Sequence, residues 1–372
     1  MNTTISDSGI KSDNGVDLSL LQPHTVQLYH LAEHQCVVRK VKARSLLHPR
    51  RFDLFAKLYY IRLREENRDQ ALKVYTQHIK AFNPDEKEPG RDDKQSLDDF
   101  VAYFDHLINH FATSSFDATV SVVPVDANGI ILDGGHRVAA LAFYDKDVVV
   151  AQYADVHSVA DFDYQYFLKR GLSRRVCDIV ALETIRWCQD VYVACLWPIM
   201  GKDKKQAIDK IRQLAVPFYD KSLSTSLRSF GKFITQVYKA QSWVGTESNH
   251  YKGAMDKAAH CYASHGEMSF VFFSTSKGLD AVLQLKDQIR SDYPYGKHSI
   301  HITDTKEETK DIACLLLTQD GQNTWQDTQG YRGWHARLSN YLDERLFVLK
   351  NVYLTRLKVK VYYWMRKFRN NR

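Results

Sequence analysis

The sequence predicts an α/β (α+β) protein, because β-branched runs of strand character alternate along it with segments whose apolar residues recur at helical spacing. The 372 residues are 44% hydrophobic and 26% charged, as in a globular protein that buries a core. The charge is uneven, since residues 345–372 are strongly basic. We therefore predict four regions: a disordered leader over 1–25, a larger domain over 26–200, a smaller α/β domain over 201–335 and a basic amphipathic tail over 336–372.

The larger domain begins with a short strand and a group of helices. Val37–Val41 alternates as a strand does, and helical spacing predicts helices over residues 51–64, 69–81 and 97–111. Ser96 precedes the last of these as a helix cap. Residues 83–96 form a polar loop with Pro and Gly, long enough to suggest a function.

A compact pattern of strands and tight turns follows. Val120–Val125 is β-branched, Asp-Ala-Asn-Gly at 126–129 predicts a turn, and Ile130–Leu132 returns as a second strand. A glycine turn then leads to a helix over 138–144 and a strand over 148–153. Two consecutive glycines at a helix entrance leave backbone N–H groups free to face an anion. The sequence thus predicts an anion site at this turn.

The segment Val122–Tyr144, VVPVDANGIILDGGHRVAALAFY, resembles the ParB/sulfiredoxin superfamily, in which such a turn binds nucleotide phosphates. The resemblance implies that ATP, or another nucleoside triphosphate, binds here with Mg²⁺. Arginine suits this role because its planar fork makes two contacts with phosphate oxygens. The resemblance assigns the phosphate contacts to the backbone of Gly134 and Gly135 and to the side chains of His136 and Arg137.

One position separates this chain from the sulfiredoxins. Gly135 stands where they carry their nucleophilic cysteine, so repair of sulfinic acids by that thiol is excluded. Two functions remain: phosphoryl transfer, as in the free-serine kinases of the superfamily, or a non-enzymatic CTP-gated DNA clamp, as in the ParB partition proteins. A clamp requires a DNA-reading element and a basic face. Residues 160–200 have mixed charge and the composition of a packed core, which disfavours nucleic acid as a partner.

A fainter resemblance extends to RFDLFAKLYY at 51–60, HIKAF at 78–82 and a Glu-Pro-Gly loop. It is to uncharacterised bacterial proteins associated with lipopolysaccharide and capsule synthesis. It implies a kinase or phosphotransferase acting on a hydroxyl of a sugar or a surface-polysaccharide intermediate. Arg50, Asp53 and Lys57 have helical spacing, with Arg51 beside them, and form either a solvated charged face or one wall of the nucleotide site, where Arg51 and Lys57 would contact phosphates.

A kinase also needs a carboxylate that accepts the hydroxyl proton. Asp133, beside the glycine turn, is the first candidate for this base. Asp53 and Glu88 are the alternatives. In this mechanism Arg137 holds the transferred phosphates and Mg²⁺ bridges them.

In the smaller domain, the segment HSIHITDTKEE at 298–308 contains several residues that ligate metals. On a predicted strand, however, His298 and His301 point to opposite faces. Asp304 and Glu307 have the spacing of a capping box. These residues are therefore either structural caps or part of a catalytic or metal site.

The C-terminal residues 345–372 carry nine Lys or Arg residues and no acidic residue. Since the net charge of the whole chain is +7, the remaining residues sum to −2. Their apolar residues recur every three or four positions, so they predict a basic amphipathic helix that lies on an anionic membrane surface or packs against the protein. The six scattered cysteines and the polar N-terminus, which lacks a signal pattern, indicate a cytoplasmic protein. The basic tail predicts that this protein is peripheral to the inner membrane.

Overall fold

Two β-sheets, each accompanied by helices, make up the computed structural model, which describes residues 15–263 and 266–326. The first sheet has three strands in mixed directions, and the second has four antiparallel strands. The chain divides into two compact units between Cys188 and Gln189. The predicted α/β (α+β) class is confirmed, and the observed division precedes the boundary that we placed at residue 200.

The first unit matches the predicted order of elements closely. The predicted strand over 37–41 and the predicted helices over 51–64, 69–81 and 97–111 each correspond to an observed element. In chain order the elements are α1 (Pro23–Leu28), β1 (Cys36–Lys42), α2 (Phe52–Leu63), α3 (Arg68–Phe82), α4 (Leu97–Thr113), β2 (Val123–Val125), α5 (Gly135–Phe143), β3 (Asp147–Tyr153), α6 (Tyr164–Lys169) and α7 (Arg174–Trp187).

The sheet of the first unit has the order β1-β3-β2. Strand β1 pairs antiparallel with β3 from Cys36 opposite Tyr153 to Lys42 opposite Asp147. Strand β2 pairs with β3 in parallel, which places Val123 opposite Val150. Because β3 follows α5 directly, this pairing positions the N-terminus of α5 at the end of β2.

The predicted return strand over 130–132 is wrong. Only one antiparallel bridge, between Val125 and Ile131, joins this segment to β2. The Asp126 carboxylate accepts the N–H groups of Asn128 and Ile130 at 2.8 and 2.9 Å, which closes the turn tightly. The chain then reaches Gly134, whose positive φ of 84° directs it into a helix before a strand can extend.

Helix α2 lies at the centre of the first unit. Every residue from Phe52 to Leu58 is buried, as expected for a helix surrounded by other elements. Its Tyr60 packs against Tyr75 of α3 and Phe104 of α4, with ring centroids 4.8 and 5.6 Å away. Asp53 and Lys57 lie on this buried helix, so their charges are removed from water along with its apolar residues.

The second unit contains the sheet β5-β6-β4-β7, in which neighbouring strands are antiparallel. The predicted bounds of the larger domain, 26–200, included the residues of strand β4, but this strand pairs with β6 and β7 of the second unit. The elements are β4 (Val191–Leu196), α8 (Lys204–Leu214), β5 (Val216–Ser224), α9 (Leu227–Val237), α10 (Lys252–Cys261), β6 (Glu267–Ser274), α11 (Gly278–Asp292), β7 (Ile300–Ile302), α12 (Lys306–Leu317) and α13 (Gln319–Asn323).

The capping box predicted for Asp304 and Glu307 is wrong, because the cap of the helix lies one residue later in the chain. Thr305 caps α12 by accepting the N–H of Glu308 at 3.1 Å. The Glu308 carboxylate accepts the N–H of Asp304 and pairs with His301, each at 2.9 Å. Within residues 15–263 and 266–326, no group of three or more His, Cys, Asp or Glu residues is arranged to hold a metal ion. The metal interpretation of the segment 298–308 is therefore not supported.

Two predictions fall on residues outside those described, namely the leader over residues 1–14 and the amphipathic helix over 345–372. The rest of the predicted leader, residues 15–25, is ordered, since it contains the 3₁₀ turn Leu18–Leu20, the start of α1 and the buried side chains of Val16 and Leu21. Across the described residues, none of the helices combines the length and apolar character needed to cross a membrane. The six cysteines form no disulfide within the described residues, and Cys177, Cys188, Cys195 and Cys261 are buried.

Candidate functional site

The glycine turn places the N-terminus of α5 against the rest of the site. Gly134 is the N-cap of this helix in the left-handed conformation, which a residue with a side chain rarely adopts. A Cβ added at Gly134 would also lie 3.1 Å from Nη2 of Arg137 and 3.3 Å from Cγ2 of Val123. The first N–H groups of a helix have no partner inside it. These N–H groups are the ones that the predicted anion would contact.

Gly135 is required for a different reason, namely close approach. A Cβ added there would lie 3.2 Å from Oδ2 of Asp53, 3.4 Å from Nη2 of Arg51 and 3.6 Å from Nζ of Lys57. The absence of a side chain thus allows the start of α5 to lie directly against these three charged groups. This is the position at which sulfiredoxins carry cysteine.

Arg51, Asp53 and Lys57 form a buried charged cluster. Nε and Nη2 of Arg51 donate to the two Asp53 oxygens at 2.8 and 2.9 Å, and Nζ of Lys57 donates to Oδ2 at 2.9 Å. The side chains are 5%, 1% and 5% exposed, respectively. A solvated charged face, one of our two interpretations, is therefore excluded. Two basic side chains share one carboxylate, so the cluster carries a net charge of +1 when both of them are protonated.

The ionisation of this cluster follows from burial and pairing. Burial alone would raise the pKa of Asp53, but the charges of Arg51 and Lys57 outweigh it and hold that pKa well below its usual range. Burial lowers the pKa of Lys57, and the neighbouring Asp53 carboxylate opposes this shift only in part. Asp53 is thus an anion at neutral pH, and it pairs with both of these basic side chains.

A cavity of about 270 Å³ opens in front of the glycine turn. Most of the residues that we assigned to the site from the sequence line it, namely Arg51, Asp53, Lys57, Glu88, Asp133, Gly135 and His136. The other two, Gly134 and Arg137, line an adjoining space of about 30 Å³, together with Arg91, Lys94 and Tyr103. The fold therefore brings all of the predicted site residues together around the start of α5.

Each of the two other predicted carboxylates has a cationic partner. Oδ2 of Asp133 accepts from Nη2 of Arg137 at 3.1 Å, and these side chains are 24% and 13% exposed. Oε2 of Glu88 accepts from Nζ of Lys94 at 2.6 Å. Both carboxylates are more accessible than Asp53, since the Glu88 side chain is 26% exposed.

His136 is uncharged and has one nitrogen already engaged. Its Nε2 lies 2.8 Å from the Tyr75 hydroxyl, and its ring packs at 4.8 Å from that of Phe104. Burial, followed by the charges of Lys57 and Lys94, lowers its pKa well below the usual value. A neutral imidazole has a single N–H. The Tyr75 hydroxyl also donates to the Phe100 carbonyl at 3.2 Å, so its one hydrogen is already used. Nε2 of His136 then supplies the hydrogen of the bond to Tyr75, and Nδ1 has no hydrogen to donate to a phosphate unless Tyr75 gives up its bond to Phe100.

The sequence did not identify two further residues of this region. Lys94 is 3% exposed, and its ammonium lies 4.0 Å from the centre of the Tyr103 ring. His78 is buried beside Phe167, and neither of its ring nitrogens has a hydrogen-bond partner. The loop over 83–96 was predicted to be functional, but nothing in its polar composition distinguishes Lys94 from its neighbours. His78 occurs in HIKAF, a segment quoted only for its resemblance.

Comparisons with known proteins found no relative of this chain. No family model matches the chain, and neither a curated protein nor a solved structure is similar to it at a significant level. The resemblance to the ParB/sulfiredoxin superfamily thus stays a prediction from the glycine turn, and the functional argument depends on the geometry of the site.

Proposed function

We propose that the first unit binds a nucleoside triphosphate at the start of α5 and transfers a phosphoryl group to a hydroxyl. The observation that carries this proposal is the buried cluster of Arg51, Asp53 and Lys57 against Gly135. Two cations with one carboxylate, beside free N–H groups and the positive end of a helix dipole, form a site for an anion of more than one charge.

The charge balance explains why a phosphate chain fits better than a neutral ligand. A buried charge without a full partner costs free energy, and a bound anion offsets that cost. The Arg51 guanidinium and the Lys57 ammonium supply charge-assisted hydrogen bonds, which are about twice as strong as neutral ones. Arg137 and Lys94, in the adjoining space, are the cations available to the far end of the chain.

The catalytic base is assigned to Asp133. Asp53 is a poor base because two buried cations hold it as an anion with a lowered pKa. Asp133 is partly exposed, lines the main cavity and has Arg137 as its partner. A phosphate that engages Arg137 competes for that guanidinium, which frees the Asp133 carboxylate to accept the hydroxyl proton of the acceptor. Glu88 is the alternative, since it lines the same cavity.

The accessible carboxylates also suit Mg²⁺, which binds proteins through one or two carboxylates and otherwise through phosphates and water. Glu88 would hold it beside the phosphates, which leaves Asp133 as the base. When bound, Mg²⁺ neutralises charge that develops on the transferred group. No three-residue metal cluster is needed, and none occurs in the part of the chain that the structure describes.

The acceptor that we propose is a hydroxyl of a sugar or surface-polysaccharide intermediate, and the proposed location is the cytoplasmic surface of the inner membrane. The support is the resemblance of residues 51–60 and 78–82 and the basic, apolar-striped sequence of residues 345–372. An enzyme held at the membrane would meet a lipid-linked acceptor where that acceptor is made.

The experiment measures ATP·Mg²⁺ binding by calorimetry and phosphoryl transfer with γ-labelled ATP, for the wild type, Arg137→Ala and Arg50→Ala. Arg50 is the control, because it pairs with Asp161 outside the cavity lining. Arg137→Ala should weaken ATP binding by roughly tenfold or more, as expected for one lost charge-assisted bond. Arg50→Ala should bind normally. Equal affinities in the two folded variants would contradict the phosphate assignment, and sequence-specific DNA binding stimulated by CTP would contradict the kinase.

A further inference from the structure

The main cavity has a second, apolar side that the phosphate assignment does not use. Phe82, at the end of α3, and Phe162, before α6, both line it, and their ring centroids are 5.1 Å apart. Leu28 and Val159 also line it and are 46% and 62% exposed. Large apolar side chains with that exposure leave surface that a ligand would cover.

The aromatic pair and the cationic cluster form one continuous wall. The Arg51 guanidinium lies 5.2 Å from the centre of the Phe162 ring, and the Lys57 ammonium lies 5.7 Å from that of Phe82. The backbone fixes this arrangement, because the N–H of Phe52 donates to the carbonyl of Phe162 at 2.9 Å. A ligand whose anionic end contacts these cations therefore has its next portion beside the two rings.

We infer that this apolar side holds the nucleobase of the bound nucleotide, with Leu28 and Val159 at its open edge. The inference rests on the proposed function, since the same ligand supplies the phosphates. A flat ring suits aromatic and branched aliphatic neighbours, and stacking tolerates any base because every base has a π face. A short prenyl diphosphate also combines an anionic end with an apolar portion, so it is the competing ligand in the test below.

If the nucleobase lies on this apolar side, the size of the base is the main determinant of which nucleotide binds most tightly. A purine covers more of the surface of Phe82, Phe162, Leu28 and Val159 than a pyrimidine does, so ATP and GTP should bind more tightly than CTP. The polar side chains of Gln22, His24 and Asn83 also line the cavity, and they are the groups available to a base edge.

The test compares ATP, CTP and inorganic tripolyphosphate by calorimetry on the full chain. The variant is Leu28→Ala with Val159→Ala. The matched control is Leu279→Ala with Val120→Ala, which removes the same groups from residues that are 38% and 72% exposed elsewhere. The site variant should lose roughly tenfold in ATP affinity, because it removes apolar area that the base would cover, and keep its tripolyphosphate affinity. The control should keep both affinities.

The possible failures are distinguishable. Unchanged ATP affinity in the site variant, or equal losses for ATP and tripolyphosphate, would overturn the nucleobase assignment while the phosphate site stands. Tighter binding of a short prenyl diphosphate than of ATP to the wild type would overturn it in favour of a lipid phosphate. A wild type that binds neither ATP nor tripolyphosphate would overturn both this inference and the proposed function.

Discussion

Replacement of Gly135 by alanine tests the site with one methyl group. The new Cβ would lie 3.2 Å from the Asp53 carboxylate and 3.4 Å from the Arg51 guanidinium. Such a distance is tighter than ordinary contact, so the neighbouring charged groups must shift by a few tenths of an ångström. The methyl group would also occupy the space in which a phosphate meets the first N–H groups of α5.

The magnitude can be worked out from these contacts. Gly135 does not have the positive φ of Gly134, so alanine fits its backbone and gains up to about 1 kcal/mol of helix propensity. This gain offsets much of the cost of the close contact, and we expect the free energy of unfolding to change by about 1 kcal/mol or less. Loss of one or more hydrogen bonds to a charged phosphate should weaken binding by roughly ten- to a hundredfold.

The assay pairs denaturant unfolding with calorimetric titration of ATP·Mg²⁺. Gly134→Ala is the companion variant, because its left-handed conformation should cost about 1–2 kcal/mol of stability. The two glycines thus give opposite results, one losing mainly affinity and the other mainly stability. A folded Gly135→Ala protein that binds ATP as the wild type does would refute the position of the phosphates.

Three other predictions concern charge. Asp53→Asn should destabilise the fold by about 3–5 kcal/mol, because it leaves two buried cations without their anion, whereas Asp161→Asn at the surface should cost less than about 1 kcal/mol. Because folding lowers the pKa of Asp53, the ionised carboxylate stabilises the fold above its unfolded pKa of 3.8, and this stabilisation is lost as the pH falls below that value. Asp53→Asn should therefore lose less stability in acid than the wild type does. Urea titrations that show the same acid response in both proteins would contradict this. Asp133→Asn should bind ATP but lose phosphoryl transfer in the labelled-ATP assay, and retained transfer would exclude it as the base. Deletion of residues 345–372 should abolish sedimentation with anionic vesicles without changing ATP affinity, and equal sedimentation of the two proteins would contradict a membrane anchor.

The sequence predicted the turn at the centre of the site because its signals are local. Asn-Gly and Gly-Gly dipeptides need particular backbone conformations wherever they occur, and the observed φ of 84° at Gly134 agrees with that need. The same local logic predicted β1 and helices α2 to α4. The return strand at 130–132 failed because strand formation depends on a partner, and β2 finds that partner in β3 instead.

The burial of the charged side chains of Asp53 and Lys57 could not be predicted from the local sequence. Asp53 and Lys57 are four residues apart, a spacing equally common on solvated helices. Only the packing of α2 among other elements excludes water from them, and that packing depends on residues distant in sequence, such as Tyr75 and Phe104. The contact of Lys94 with Glu88 and Tyr103 likewise requires the fold of the loop.

The missed strand β5 has a comparable explanation. Its residues, VPFYDKSLS over Val216–Ser224, include a proline, two charges and two serines, so their composition does not indicate a strand. β5 lies at the edge of its sheet, where proline and charged residues are tolerated and discourage pairing with other chains. The irregularity between Pro217 and Tyr219 agrees with this position.

The arrangement around Gly135 also links the stability of the first unit to its ligand. Arg51 and Lys57 are held apart from water by α2, and Asp53 neutralises only one of them. Replacing either cation with an apolar residue would remove the excess charge, yet it would also remove a group that an anion can bind. The proposed anion would offset part of the cost of this buried charge, so its binding should also stabilise the first unit.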